Sequence, residues 1–127
     1  MLKNNIMHVN LKEKFAKFTE HWHPHIVGEL NDNYVKLAKL SGEFVWHSHE
    51  HEDELFIVLS GTLMMDFHDK TVATGPGEIL IVPKGVEHRP WTTDAEVTIM
   101  LIEPKATKHT GELITDRSVE VQHQDWI

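Results

Sequence analysis

The chain has 127 residues, with 12 Lys plus Arg against 20 Asp plus Glu, a formal charge of −8 when its 11 histidines are neutral. One domain is the natural reading at this length, long enough to bury a core without covalent staples. The lack of cysteine excludes disulfides, thiolate zinc sites and cysteine nucleophiles, and the acidic balance argues against a nucleic-acid partner, which needs a basic stripe.

Three zones appear in chain order. Residues 1–32 read as an N-terminal arm with a short helix, because Leu11, Phe15 and Phe18 recur at helical spacing behind Asn10 as N-cap. No continuous apolar stretch of a signal peptide occurs between Met1 and Lys17. The proline in His21-Trp22-His23-Pro24-His25 argues against a helix continuing there. Residues 33–104 read as short β-strands separated by turn signals: Tyr34 to Leu40, Glu43 to His49, Leu55 to Leu59, Thr62 to His68, Thr71 to Thr74, Ile79 to Val82 and Val97 to Ile102. Strands this short at this spacing predict an all-β sandwich or antiparallel β-barrel. Residues 105–127 are polar apart from Leu113, Ile114, Val119, Val121 and the terminal Trp126-Ile127, and read as a tail docking on the barrel. The longest apolar runs, Leu55 to Leu59 and Ile79 to Val82, are far too short to span a bilayer, so a cytoplasmic protein without a membrane partner is expected.

Ser60-Gly61 reads as a tight hairpin turn that pairs Val58 with Leu63 and Phe56 with Met65. Alternation then places Glu54, Phe56, Val58, Leu63, Met65 and Phe67 on one face, and Leu55, Ile57, Leu59 and Met64 on the other. Both faces are apolar. One fills a barrel; the other needs cover, and a homodimer is the expected source of it.

The chemistry concentrates between Glu43 and Glu54, a segment with three histidines, five carboxylates and no basic residue. His47 and His49 are two apart on an extended stretch, so their imidazoles share a face. Glu54 opens the strand after the acidic turn Glu50 to Asp53, and His88 follows the turn Pro83-Lys84-Gly85. Three imidazoles and one carboxylate around a point suit one divalent first-row transition metal: Fe, Mn, Ni, Cu or Zn. His51 is expected at the rim, with Glu50, Glu52 and Asp53 as solvated turn charges and Glu52 the fallback ligand.

Gly42 to Gly61 resembles the first conserved motif of the cupin superfamily, with His47-Ser48-His49, four residues, Glu54, six residues and Gly61. Gly77 to His88 resembles the second, with Pro83 and Gly85 at the matching places. Two departures stand out: four residues, not five, separate Gly42 from His47, and Thr92 occupies the place of a common asparagine. The resemblance, to small single-domain cupins, implies a small antiparallel β-barrel of jelly-roll type with His47, His49, Glu54 and His88 as its metal ligands.

Other residues carry weaker expectations. His21, His23 and His25 alternate and form a second candidate metal cluster, while His8, His109 and His123 are isolated and His68 faces outward. Trp46 is expected to face outward, with Glu43 and Val45 sharing the face of His47. Trp22 and Trp91 read as core or interface residues, or else as pocket lining. Phe56, Met65 and Phe67 read as pocket walls, and Arg89 as an ordinary surface arginine or a contact for an anionic substrate. An open metal position would take water, oxygen or an organic acid. The expected function is a metal-dependent enzyme, an oxygenase or isomerase, acting on a small oxygen-rich metabolite. The alternatives are a non-catalytic module binding a metal and a small ligand, and a storage role that the intact ligand set disfavours. No catalytic group beyond the ligands is identifiable.

Overall fold

A computed structural model describes residues 6–107 and 124–127. Among the described residues, one short helix, α1 (Leu11–Phe15), precedes eight strands. Asn10 caps the helix as the sequence requires, its Oδ1 accepting from the Glu13 N–H at 3.0 Å. The strands are β1 (His25–Leu30), β2 (Asn33–Leu40), β3 (Glu54–Ser60), β4 (Leu63–Asp66), β5 (Thr71–Thr74), β6 (Ile79–Val82), β7 (Arg89–Trp91) and β8 (Val97–Pro104). They form two antiparallel sheets, a five-stranded one ordered β1-β2-β8-β3-β6 and a three-stranded one ordered β5-β4-β7. Among the described residues the fold is mostly β with one short helix, in agreement with the predicted class.

Three sequence expectations need correction. β1 lies inside the segment read as an arm; its signal was Ile26-Val27 followed by Asn31-Asp32, a two-residue turn in which Asn31 takes φ +53°. β7 is a three-residue strand with a central proline and was not anticipated. The third concerns Ser60-Gly61, which does not close a hairpin. β3 is flanked by β8 and β6, whereas β4 lies between β5 and β7. The register of β3 against β8 shifts between Val58 and Ser60, so the strand bends at its end and the chain crosses to the facing sheet. Gly61 makes the corner at φ +75°, where an added Cβ would lie 2.8 Å from Val97 Cγ2. The Asp94 carboxylate then accepts from Thr62 N–H at 2.7 Å and holds the corner. The alternation slips by one residue at this corner, from even positions in β3 to odd positions in β4, so the face assignment survives the change of partner: Phe56, Val58, Leu63 and Met65 are all buried.

The main core fills the space between the sheets and includes Leu40, Phe44, Phe56, Val58, Leu63, Met65, Val97 and Ile99. A second cluster lies on the outer face of β1 and β2, where Phe18, Val27 and Leu37 are covered by Leu11, Phe15 and Ile127. The C-terminal residues dock there as expected. Ile26 N–H donates to the Asp125 carbonyl at 2.8 Å, and Ile127 N–H donates to the Ile26 carbonyl at 3.0 Å. The expectations for Leu113, Ile114, Val119, Val121, His109 and His123 lie outside the described residues. Among the described residues, no helix is long and apolar enough to cross a membrane.

Candidate metal centre

The segment from Glu43 to His49 was expected as a strand, but it is extended chain joined to its neighbours by isolated bridges only. Glu43 bridges Trp91 and His47 bridges His88. Between them the alternation breaks: Phe44 turns inward and Glu43 outward, so Glu43 does not share the face of His47, while Val45 is half-buried against the main core. Glu43 is exposed, 3.8 Å from the Arg89 guanidinium.

The bridge between His47 and His88 is reciprocal, His47 N–H donating to the His88 carbonyl at 3.0 Å and His88 N–H to the His47 carbonyl at 2.9 Å. Each ring is then oriented by its own backbone. His47 Nδ1 lies 2.9 Å from the Val45 carbonyl, and His88 Nδ1 lies 2.9 Å from the Val86 carbonyl. A carbonyl can only accept, so both rings carry a proton on Nδ1, which leaves Nε2 as the nitrogen turned toward the cluster. His49 is tied to the second motif through its carbonyl, which accepts from Gly85 N–H at 2.8 Å. Glu54 starts β3, and its Oε1 lies 3.3 Å from His49 Nε2 and 3.6 Å from His88 Nε2.

The structure therefore gathers all four predicted ligands. Each is buried, and their ligand atoms lie within 4.8 Å of one another, comparable to the ~4 Å diameter of a first-row coordination sphere. Glu54 Oε1 and His88 Nε2 are enclosed without a hydrogen bond. Buried polar atoms left in this state carry a substantial cost unless something coordinates them. The donor set fits a divalent transition metal on these grounds.

Electrostatics in the cluster follow from enclosure. Burial, reinforced by the neighbouring His88, lowers the His47 pKa to about 4, so its imidazole is neutral near pH 7. For Glu54, burial favours the neutral acid, but contacts from His49 and His88 outweigh it and hold the carboxylate well below its usual range. Behind Glu54 lies a feature that the sequence reading missed. Glu103, buried in β8, contacts Glu54 and also accepts from Lys36 Nζ at 2.8 Å. Burial and the adjacent Glu54 push the Glu103 pKa well above the carboxylate range. The signal was available, since Lys36 alternates with Ala38 and Leu40, and Glu103 with Ile99 and Leu101, on faces otherwise apolar.

A cavity of about 40 Å³ adjoins the cluster, lined by His47, Glu54 and apolar residues including Trp22, Phe44, Phe56 and Pro90. Trp22 stacks on Phe44 with ring centroids 4.7 Å apart, and Phe44 meets the His47 ring edge-on at 5.5 Å. Trp22 holds this place at φ +60°, its indole N–H donating to the Ser41 carbonyl at 2.8 Å. Met65 belongs to the core beneath, while Phe67 lines a separate groove of about 430 Å³ beside Val72, Leu80 and Val86.

The remaining expectations sort clearly. His51 is exposed beside Glu50, and Asp53 accepts from Lys84 N–H at 2.8 Å, so the acidic turn supplies no ligand besides Glu54 among the described residues. His21, His23 and His25 do not assemble a metal site. His21 pairs with Glu96 at 2.9 Å, while His23 and His25 stack with their ring centroids 4.7 Å apart. Trp46 faces outward and stacks on His68 at 4.7 Å. Trp91 and Arg89 are both committed to Asp66, the indole at 2.8 Å and the guanidinium at 2.8 Å and 3.2 Å, so neither lines the cavity. Thr92, at the departure from the motif, receives Gly42 N–H on its hydroxyl at 3.1 Å and returns its own N–H to the Gly42 carbonyl at 2.9 Å. It joins the start of the first motif to the end of the second.

Comparison with known proteins agrees with this architecture. The family model described as "Cupin domain" matches residues 33–103. An uncharacterized protein of Bacillus subtilis (strain 168), YdbB, is 45% identical over 80 residues, a match covering 62% of this chain and 65% of the relative, just under two thirds of its length. The crystal structure of a cupin-2 domain containing protein from Shewanella frigidimarina NCIMB 400 is 47% identical, covers 76% of this chain and 93% of its own, and superposes with a TM-score of 0.74. Protein NMB1881 from Neisseria meningitidis is 33% identical, with coverage of 76% and 98% and a TM-score of 0.69. With two sheets enclosing three histidines and a glutamate contributed by two glycine-bounded motifs, the chain belongs to the cupin domain family.

Proposed function

We propose that this cupin binds one divalent first-row transition metal, Fe, Mn, Ni, Cu or Zn, through His47, His49, Glu54 and His88. On this reading it acts as a metal-dependent enzyme, an oxygenase or isomerase, on a small oxygen-rich metabolite. The observation that carries the reading is the buried convergence of the four side chains, with Glu54 Oε1 and His88 Nε2 lacking hydrogen bonds. The ion would supply Lewis acidity or redox chemistry at any position the protein leaves open. The chain's own residues do the rest. Val45 and Val86 carbonyls hold the Nδ1 protons and thereby aim Nε2. Trp22, Phe44 and Phe56 keep the approach apolar and exclude competing water.

Elemental analysis of protein purified without an affinity tag tests the first part: about one metal per chain is expected, and His47→Ala with His49→Ala should abolish uptake. Absence of metal, or uptake indifferent to both substitutions, would overturn it. Turnover of keto acids, phenols or sugar phosphates by the loaded protein, lost in His88→Ala, tests the second part.

A second reading, a non-catalytic module that holds metal and a small ligand, is favoured by the lining itself. Besides His47 and Glu54, every residue around the small cavity is apolar, so no separate acid or base faces it. Tight ligand binding without turnover distinguishes this case. A second copy of the chain is the proposed partner for the outer face of β3 and β6, and the cytoplasm the proposed location.

A further inference from the structure

Among the described residues, Lys36 and Glu103 form the only ion pair involving a lysine or arginine in which both side chains are enclosed, at 0% and 3% exposure. Enclosing such a pair costs more than filling the same space with apolar side chains, so its stability contribution does not explain its presence. Its position does. Strand order β2-β8-β3 brings Lys36, Glu103 and Glu54 together on the inner face of the five-stranded sheet, with Lys36 opposite Leu101, two residues before Glu103 on the same face. Glu103 Oε1 is taken by Lys36 Nζ, and Oε2 is buried without a donor. Glu103 also contacts Glu54, whose Oε1 lies 3.3 Å from His49 Nε2 and 3.6 Å from His88 Nε2.

We propose that Lys36 and Glu103 are positioning residues for Glu54, fixing the rotation of its carboxylate so that Oε1 is presented to the metal. Lys36 holds Glu103, and Glu103 holds the back of Glu54. Groups that brace a ligating carboxylate from behind change metal affinity on the order of 10–100-fold when removed. The inference rests on the metal-binding reading above, and extends it from the four ligands to the pair that orients one of them.

The test uses cobalt(II) as probe, with affinity measured by chelator competition and coordination read from the visible d–d bands. Lys36→Met combined with Glu103→Leu replaces the pair by apolar side chains of similar size, and the metal-free double variant should melt no lower than the parent chain. It should nevertheless bind cobalt about 10–100-fold more weakly and show shifted d–d bands. Glu103→Gln keeps a polar partner for Glu54 and should recover part of that loss. A folded double variant with affinity within about threefold of the parent and an unchanged spectrum would overturn the proposal. Should the double variant not fold, Glu103→Gln decides alone: weakened binding or shifted bands support positioning, and neither change overturns it. Failure of the parent chain itself to take up cobalt would overturn the metal-binding reading instead, and the positioning proposal with it.

Discussion

An imidazole whose Nδ1 is committed to a backbone carbonyl presents only Nε2, and both His47 and His88 are built this way. In the metal-free chain this has an energetic consequence. His47 titrates near 6.5 when unfolded and at about 4 when folded, because burial and His88 disfavour its charged form. Between these values the unfolded chain binds the extra proton, so stability from this group is complete above pH 6.5 and is lost as pH falls toward 4. Denaturant titrations of the metal-free protein at pH 7.5 and pH 4 should differ by about 3 kcal/mol from this residue, and His47→Gln should flatten most of that slope. At this scale the sequence was informative about the candidate ligands, because the two-residue spacing of His47 and His49 and the glycine-bounded turns bring them together with Glu54 and His88. It was silent on their bracing: the carbonyls of Val45 and Val86 are backbone groups, which any residue type supplies.

Single elements show where local signals suffice and where they do not. Asn10 announces α1 because its side chain satisfies an orphan N–H within the same turn, and Asn10→Ala should lower stability by about 1 kcal/mol in thermal or urea melts. Ser60-Gly61 announces a reversal correctly but not its destination. A glycine at φ +75° fits a hairpin or a corner between sheets equally, and the choice belongs to Val97, Asp94 and Glu96, which pack around Gly61 from distant sequence. Gly61→Ala combines a left-handed backbone with a contact no real Cβ makes, and should cost about 2–3 kcal/mol in urea unfolding. The segment from Glu43 to His49 illustrates the opposite failure. Its residues alternate on paper, yet Phe44 is drawn inward by stacking on Trp22, and the period is broken by a contact 22 residues upstream. β1 escaped notice because Pro24 and three histidines dominate that stretch, although Asn31-Asp32 marks its turn.

Across the whole molecule, the five-stranded sheet is covered unevenly. Phe18, Leu11, Phe15 and Ile127 shield its outer face over β1 and β2. Over β6 the same face is open, with Ile79 at 60% and Ile81 at 57% exposure beside half-buried Leu55 and Ile57. β6 is also an edge strand of its sheet. The expectation of an apolar second face thus came from alternation alone, while the half covered by the chain's own ends depended on contacts between residues far apart in sequence. A dimer through this surface should sediment as one species at micromolar concentration, and Ile79→Lys with Ile81→Lys should yield monomers whose melting temperature is little changed. A parent chain that sediments as a monomer would remove the proposal.

The reciprocal bridge between His47 and His88 has a kinetic consequence. These residues stand 41 positions apart, and Glu54 reaches them from the opposite sheet. No single hairpin brings the set together, so the closing of a long loop must precede its assembly. An ion bound there would be held by residues that come together only in the folded chain. Its residence time would then lengthen with the stability of the barrel, and the rate at which a strong chelator strips the ion should rise in destabilised variants.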